Sequence, residues 1–496
     1  MSAIFLLFIT LSVQSQTTGD YRSAATGNWS TVATWERFNG TSWVAAPASP
    51  SSADGVISIR SPHTISVIDA RTADQLIVDA GGTLTITSTL TVNDGAGTDM
   101  TVNGTLNTSS ILDGSGSVLV NGTMNWTAND VAVNLTIASG ATLNMGITNI
   151  RLLSSKTILN QGTINRTGGD LLLLNGTLQN ENIINQSVSS SILNLGGTNL
   201  FTNTSTGVFT QSVATGVSNF SIPTINAGVI NINSGTLSFG STTTHTGIIN
   251  AASGTTFQNS DNFTDNGTIN IVSATFNNIG TFTQNDLVSF TGTVTANNTG
   301  TWNINVAQVF SSTATLNNSS NLGGSGSVLI NGTMNWTIND VAVNLTIASG
   351  ATLNMGINNI RLLGEWDNAP TEAHVGDKFE NEEGSYTASF TGFTTVPTAT
   401  WKYVKTGRSV TLTAIGQTGT SNATTKTITG MPANIWPAQT VGGVVVASDN
   451  GTAFVMVQWT ISTAGVVTVF SNLNSGAWTA SGTANIQTNW FSYNLF

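Results

Sequence analysis

"GSGSVLVNGTMNWTANDVAVNLTIASGATLNMGITNIRLL" spans residues 114–153, and "GSGSVLINGTMNWTINDVAVNLTIASGATLNMGINNIRLL" spans 324–363. The two stretches agree at 37 of 40 positions, differing only at Val120/Ile330, Ala128/Ile338 and Thr148/Asn358. The match extends back through 105–113 against 315–323, where six of nine residues agree. A globular core rarely accepts forty extra residues, whereas a stack of short coils accepts any insertion that keeps its strands in phase. A separation of 210 residues equals ten coils of about twenty-one residues. Copying whole coils preserves the inward and outward alternation, which a one-residue slip would reverse. On this reading the copies present the same face roughly 48 Å apart, at about 4.8 Å per coil. The copied letters hold no cluster of ionisable groups, so the repeat reads as a length of shaft rather than as two binding stripes.

The rest of the body carries the same texture. "GTL" at 82 and 104, "GTM" at 122, "GATL" at 140 and "GTI" at 162 are followed by related triplets as far as "GTM" at 332. Short alternating runs such as "LTIAS" and "VLVNG" lie between them. Period-two strands broken by Gly and Asn at coil-length intervals predict an all-β, right-handed parallel β-solenoid over 64–363. Pro223 is the only proline in that span, as expected where nearly every backbone N–H donates to the next coil.

Composition agrees with this reading. Charged residues make up 7% of the 496 residues, too few to cover the wet faces of helices. The net charge of −11 and the lack of a basic run argue against a nucleic-acid partner. There is no cysteine, so stability comes from packing and backbone pairing. Residues 1–16 contain an apolar run from Ile4 to Val13 that matches a signal-peptide core without the usual basic start. No later segment is apolar enough to span a membrane.

Both ends depart from the repeat. Residues 17–63 hold Trp29, Trp35 and Trp43 and read as a cap over the first coil. Their "GNWS…ATW…SADG…I" order, with the "QSQ" junction before it, resembles the N-terminal region of secreted β-helix proteins of Bacteroidetes-type bacteria, which implies a cell-surface or secreted setting. Residues 364–383 concentrate Glu365, Asp367, Glu372, Asp377, Glu380, Glu382 and Glu383, a solvated acidic linker. Beyond them, 384–496 predicts a β-sandwich with strands at 409–415, 441–447, 453–461 and 466–471. "YVKTGRSVTL", "TITGMPANIWPA" and "ISTAG" give these last 110 or so residues a resemblance to a C-terminal domain of virion fibre proteins of tailed bacteriophages. The resemblance implies a jelly-roll-like, homotrimeric, receptor-binding tip. Trp436, just before Pro437, departs from the smaller or basic residue expected there.

Catalytic chemistry is sparse. The body's acids and bases do not gather into the two or three carboxylates that a glycan-cleaving site needs. Asp261 and Asp265, in "NSDNFTDNG", read as solvated turn carboxylates. His63, His245 and His374 lack ligand spacing, so no metal is expected. Asp94 and Asp99 in "NDGAGTDM" form half of a Ca²⁺-binding pattern, and such a site needs successive turns. The recurring Asn-x-Ser/Thr triplets read as stacked side-chain ladders. In the last domain Trp436, Trp478 and Trp490 are receptor-binding candidates, because an indole face buries sugar C–H surface.

The resulting expectation is a non-enzymatic extracellular attachment fibre without a cofactor. Its partner would be a polysaccharide or protein on a bacterial surface. The alternatives are a secreted or cell-surface β-helix adhesin and a polysaccharide-depolymerising β-helix enzyme. That no sorting or anchoring segment follows the last domain favours the virion fibre over the adhesin.

Overall fold

The computed structural model describes residues 16–146, 151–356, 361–362, 366–368, 381–395, 397–406 and 409–495. The apolar N-terminal run lies outside the described residues, as do Glu365, Glu372, Asp377 and Glu380 of the acidic stretch. The chain divides into one unit ending at Thr371 and another beginning at Glu372.

The first unit is a parallel β-solenoid of about fifteen turns over 57–355. Its building block is a strand of about four residues whose side chains alternate between water and the interior. Thr64–Val67, Thr105–Thr108, Thr163–Arg166, Thr295–Asn298 and Thr333–Trp336 all show a half-exposed, buried, half-exposed, buried order. Three such strands complete one coil. Thr281–Gln284 lies on a first face, Val288–Thr291 on a second and Thr295–Asn298 on a third. Thr301–Ile304 then returns to the first face, where Phe282 is in register with Trp302. Successive coils pair in parallel, so every inward side chain stacks on its counterpart one coil away.

Stacking places aromatic residues in contact along the interior. Phe201, Phe220, Phe239, Phe257 and Phe276 follow one another with centroids 5.1 to 5.6 Å apart. Trp302 lies 5.0 Å from Phe276 and 6.1 Å from Phe310, which extends the column. These distances suit edge-to-face and offset-stacked rings.

The Gly-Thr motif has a steric cause. A Cβ on Gly104 would lie 2.2 Å from the carbonyl oxygen of Gly82, and one on Gly122 would lie 2.1 Å from that of Gly104. At these corners consecutive coils approach too closely for any side chain, so glycine stacks on glycine.

Parallel pairing begins at Ile57, and the head continues it. Tyr21 and Arg22 pair in parallel with Ile57 and Ser58. Tyr21–Ser23 also pairs antiparallel with Trp35–Phe38, which in turn pairs with Trp43–Ala45. This ribbon occupies the edge of the first coil that would otherwise be open. Trp29 and Trp35 are buried beneath it, their indole nitrogens donating to the Pro50 and Trp29 carbonyls.

The duplicated segment does not return to the same face. On the first face, register runs from Val118 through Leu135, Ile158, Leu178, Phe201, Thr224, Thr243, Phe263, Phe282 and Trp302 to Leu322, ten steps in all. Val328, the counterpart of Val118, lies one strand beyond Leu322, in Ser327–Ile330 on the second face. The copies are therefore ten coils and one strand apart. Met124 stands in the column that passes through Ile230, whereas Met334 stands in the column through Leu237. Both columns meet in Val229–Phe239, a single strand that bends round the corner between two faces. The expectation of a shared face fails because the unit being counted is the strand, not the coil. Locally the copies are equivalent: Trp126 Nε1 donates to Asn129 O at 2.8 Å and Trp336 Nε1 to Asn339 O at 2.9 Å. Asn129 and Asn339 both hold φ in the left-handed region, at 60° and 69°.

The second unit is one antiparallel sheet of ten strands that curls around its own core. Strands form at Ser409–Ala414, Val441–Ser448, Val455–Ile461 and Val467–Val469, where the alternation predicts them. Trp401, Phe390, Trp459 and Phe491 fill the inner face.

Candidate functional site

The solenoid buries its polar side chains in ladders. At the end of each first-face strand the chain turns a corner, and the fourth residue points inward. Asn160, Asn180, Asn203 and Asn226 stack there, each Nδ2 donating to the next Oδ1 at 2.7 Å until Asn226 Nδ2 meets His245 Nδ1 at 2.9 Å. The ladder's direction makes Nδ1 an acceptor, so the imidazole is neutral and its Nε2–H faces Thr268 O at 3.3 Å. Burial lowers the His245 pKa.

Asp265 is the next rung. The sequence suggests a solvated turn carboxylate; the structure places it in the interior, fully buried, with Oδ1 3.9 Å from His245 Nε2. Oδ1 accepts from Gly267 N at 3.1 Å, and Oδ2 has no partner among the described residues. Burial, with a smaller contribution from Asp286, pushes its pKa up to about 7. A carboxyl this enclosed meets no substrate, and Asp261 lies outside the interior at the next corner.

The calcium pattern resolves into a loop clip. Asp99 is buried, its oxygens accepting from Gly95 N, Ser117 N and Ser117 Oγ at 2.7 to 3.0 Å. Its lone pairs are committed to backbone, while Asp94 is exposed. Among the described residues, no group of three His, Cys, Asp or Glu could hold a metal. His63 bonds Ser23 Oγ at 2.8 Å, and His374 lies outside the described residues.

The three tryptophans of the second unit separate by environment. Trp478 is 2% exposed, with its Nε1 donating to Val469 O at 2.7 Å. It serves as core and, in this conformation, offers no ring to a ligand. Beside it Lys426 is buried, its three protons directed at Gly392 O, Ser421 Oγ and Ala423 O at 2.7 to 2.8 Å. Burial lowers this ammonium's pKa, and the Phe393 and Trp478 rings lie 5.2 and 5.5 Å away. Trp436 is 39% exposed, donates from Nε1 to Met431 O and covers Gly465.

Trp490 is 74% exposed on the outer face of the sheet. Cross-strand register places it beside Thr413, then Lys402, then Ser385. The neighbouring row of the same face holds Ser492, Thr411, Val404 and Glu383. Thr411 and Ser492 hydroxyls are 3.1 Å apart. An open indole is thus bordered by hydroxyls, one ammonium and one carboxylate. The sequence identifies Trp490 but not this company, because the four strands come from 381–391, 398–406, 409–414 and 489–494. A second exposed cluster, also unmarked in the sequence, gathers Phe454, Met456 and Val444 around the Val446–Met456 pair.

No helix among the described residues is long and apolar enough to cross a membrane. No protein-family model matches the chain. No curated protein matches it either. Among solved structures, the attachment protein sigma1 of a reovirus, crystallised with alpha-2,3-sialyllactose, is similar over 24% of this chain and 67% of that chain. The identity is 15% and the TM-score 0.19, a likeness too slight to establish a shared fold.

Proposed function

We propose that the protein is a non-enzymatic extracellular attachment protein whose C-terminal unit binds a glycan on a cell surface through the Trp490 row. The observation that carries this reading is Trp490 itself, 74% exposed on a regular sheet face beside Thr413 and Lys402. An exposed indole on a regular sheet face offers a flat apolar surface to a ligand. Its face suits the C–H surface of a pyranose, and the hydroxyls of Thr411, Thr413 and Ser492 suit the sugar's own hydroxyls. The solenoid supplies a stiff, charge-poor scaffold. The buried titratable pair within it is closed to substrate, which favours binding over bond cleavage. The phage-fibre resemblance of the last 110 or so residues supports a virion fibre, working as a homotrimer, as the form this attachment takes.

The test is a glycan array probed with the full chain and with Trp490→Ala. The proposal expects discrete glycans bound by the parent and lost in the variant, with no release of reducing ends. Equal binding by both proteins, or cleavage of a bound polysaccharide, would overturn it.

A further inference from the structure

The solenoid's outer surface carries a second set of ladders. On the third face Asn277, Asn297, Asn317, Asn335 and Asn354 point outward in register, each Nδ2 donating to the preceding Oδ1 at 2.7 or 2.8 Å. Two residues beyond Asn277, Asn297, Asn317 and Asn335, past the inward corner residues Asn278, Asn298, Asn318 and Trp336, come Ile279, Thr299, Ser319 and Thr337. Thr299 Oγ1 donates to Asn278 O and Ser319 Oγ to Asn298 O, both at 3.3 Å. Between the two columns lies a groove of about 360 Å³, walled by Asn277, Asn297 and Asn317 on one side and Ile279, Thr299 and Ser319 on the other.

The chemistry of this groove is specific. Each ladder asparagine spends one amide hydrogen on its neighbour and keeps the second, together with a carbonyl lone pair. Each hydroxyl has spent its proton on backbone and keeps its lone pairs. One wall therefore offers both donors and acceptors, and the other offers acceptors beside the apolar Ile279, repeating at the coil spacing of roughly 4.8 Å. Ladder bonds already fix the side chains, so a ligand loses little affinity to ordering them. No charged residue lines the groove. A sulfated or carboxylated polymer would find no guanidinium or ammonium there.

We infer that this amide-lined groove at the third-face corner binds a neutral polysaccharide chain lying along the solenoid axis, a site separate from the Trp490 row. A neutral polysaccharide supplies hydroxyls that both donate and accept at repeated intervals, and C–H surface for Ile279. Copy two of the duplicated segment extends the same track with Asn335 and Asn354. Copy one contributes Asn125 and Asn144 to a sister ladder on the second face, running from Asn107 to Asn185.

The experiment is affinity electrophoresis of the full chain through gels containing soluble dextran, mannan or xyloglucan, with alginate as the anionic comparison. Thr299→Trp fills the groove without removing a ladder asparagine, and Asn297→Asp puts a charge in its wall. Trp490→Ala serves as the background in which the other site is absent. The expected result is retardation by a neutral polymer that survives Trp490→Ala and weakens about tenfold or more in Thr299→Trp. Asn297→Asp gives the same loss and stands in if the tryptophan variant does not fold. Retardation that vanishes with Trp490→Ala alone, or equals that in alginate, would overturn the inference. So would the absence of retardation, or concentration-dependent self-association abolished by Thr299→Trp, which would assign the groove to a second copy of the chain.

Discussion

The solenoid and the C-terminal unit are both built from β-strands, yet they use sequence in opposite ways. In the solenoid a residue's role follows from its place within a four-residue strand. Met124 and Met334 do the same work on different faces, each stacked between like neighbours. In the C-terminal unit a role depends on partners far away along the chain. Trp478 is sealed under Lys426, while Trp490, twelve positions later, lies open beside Thr413. Repetition makes position interchangeable, whereas antiparallel closure makes it particular. A binding site that needs unlike groups in one place is therefore easier to assemble in the second unit.

Deletion puts this contrast under the greatest stress. Removing residues 275–294 takes out one coil, because Thr275 and Thr295 are in register, and should leave a single cooperative melting transition. Removing Asn277 alone reverses the alternation of that strand and should abolish the transition, as read by circular dichroism. In the C-terminal unit, Trp478→Ala should cost about 3–5 kcal/mol in denaturant unfolding, since it leaves a cavity in the core. Trp490→Ala should change stability by less than about 0.5 kcal/mol while removing glycan binding.

Glycine stacking refines the same contrast within the solenoid. Gly122→Ala, with its Cβ 2.1 Å from a carbonyl oxygen, should destabilise by about 3 kcal/mol. At Gly254, which also precedes a Thr but faces open space at φ +78°, alanine should cost only about 1–2 kcal/mol. Thermal melts of the two variants give the comparison directly.

A pH dependence follows from the buried His245–Asp265 pair. Asp265 keeps its proton in the folded state up to about pH 7, against an ordinary carboxyl value of 3.8. Its contribution is full below the unfolded value and lost as pH rises through 7. Asp265→Asn fits the ladder without a titrating group, so it should exceed the parent in stability by roughly 4 kcal/mol at pH 8 and match it near pH 4. His245 acts in the opposite sense: its pKa is lowered, so its contribution holds above 6.5 and is lost as pH falls.

Much of the fold is legible in the sequence, for physical reasons. The "TLN" and "TMN" strands declare their inward and outward faces through period-two alternation, and Gly-Thr marks the close corners. The face occupied by a given strand is not legible, because corners vary in length. Val208–Phe220 runs through a corner in one thirteen-residue strand, so residue counts do not convert to coils. Asp265 reads as a turn because Asn266 and Gly267 follow it, yet the turn carries its side chain inward. The Trp490 row is invisible for the reason given by its register: neighbours on the sheet are up to 105 positions apart, from Ser385 to Trp490. The outward ladders are partly legible: the triplets 297–299, 317–319 and 335–337 place asparagine on one column and hydroxyl on the next, whereas those at 203–205 and 318–320 begin with an inward asparagine.

One strand, rather than one coil, is the unit of this solenoid, and its three faces are interchangeable. Repeating residues 295–300 once, directly after Gly300, adds a single strand and moves every later strand of the solenoid to the next face. Thermal unfolding of that variant, followed by circular dichroism beside one in which residues 275–294 are repeated, tests this directly. Interchangeable faces require one cooperative transition in both proteins. A cooperative transition in the full-coil variant with none in the single-strand variant would show that the coil, not the strand, is the unit.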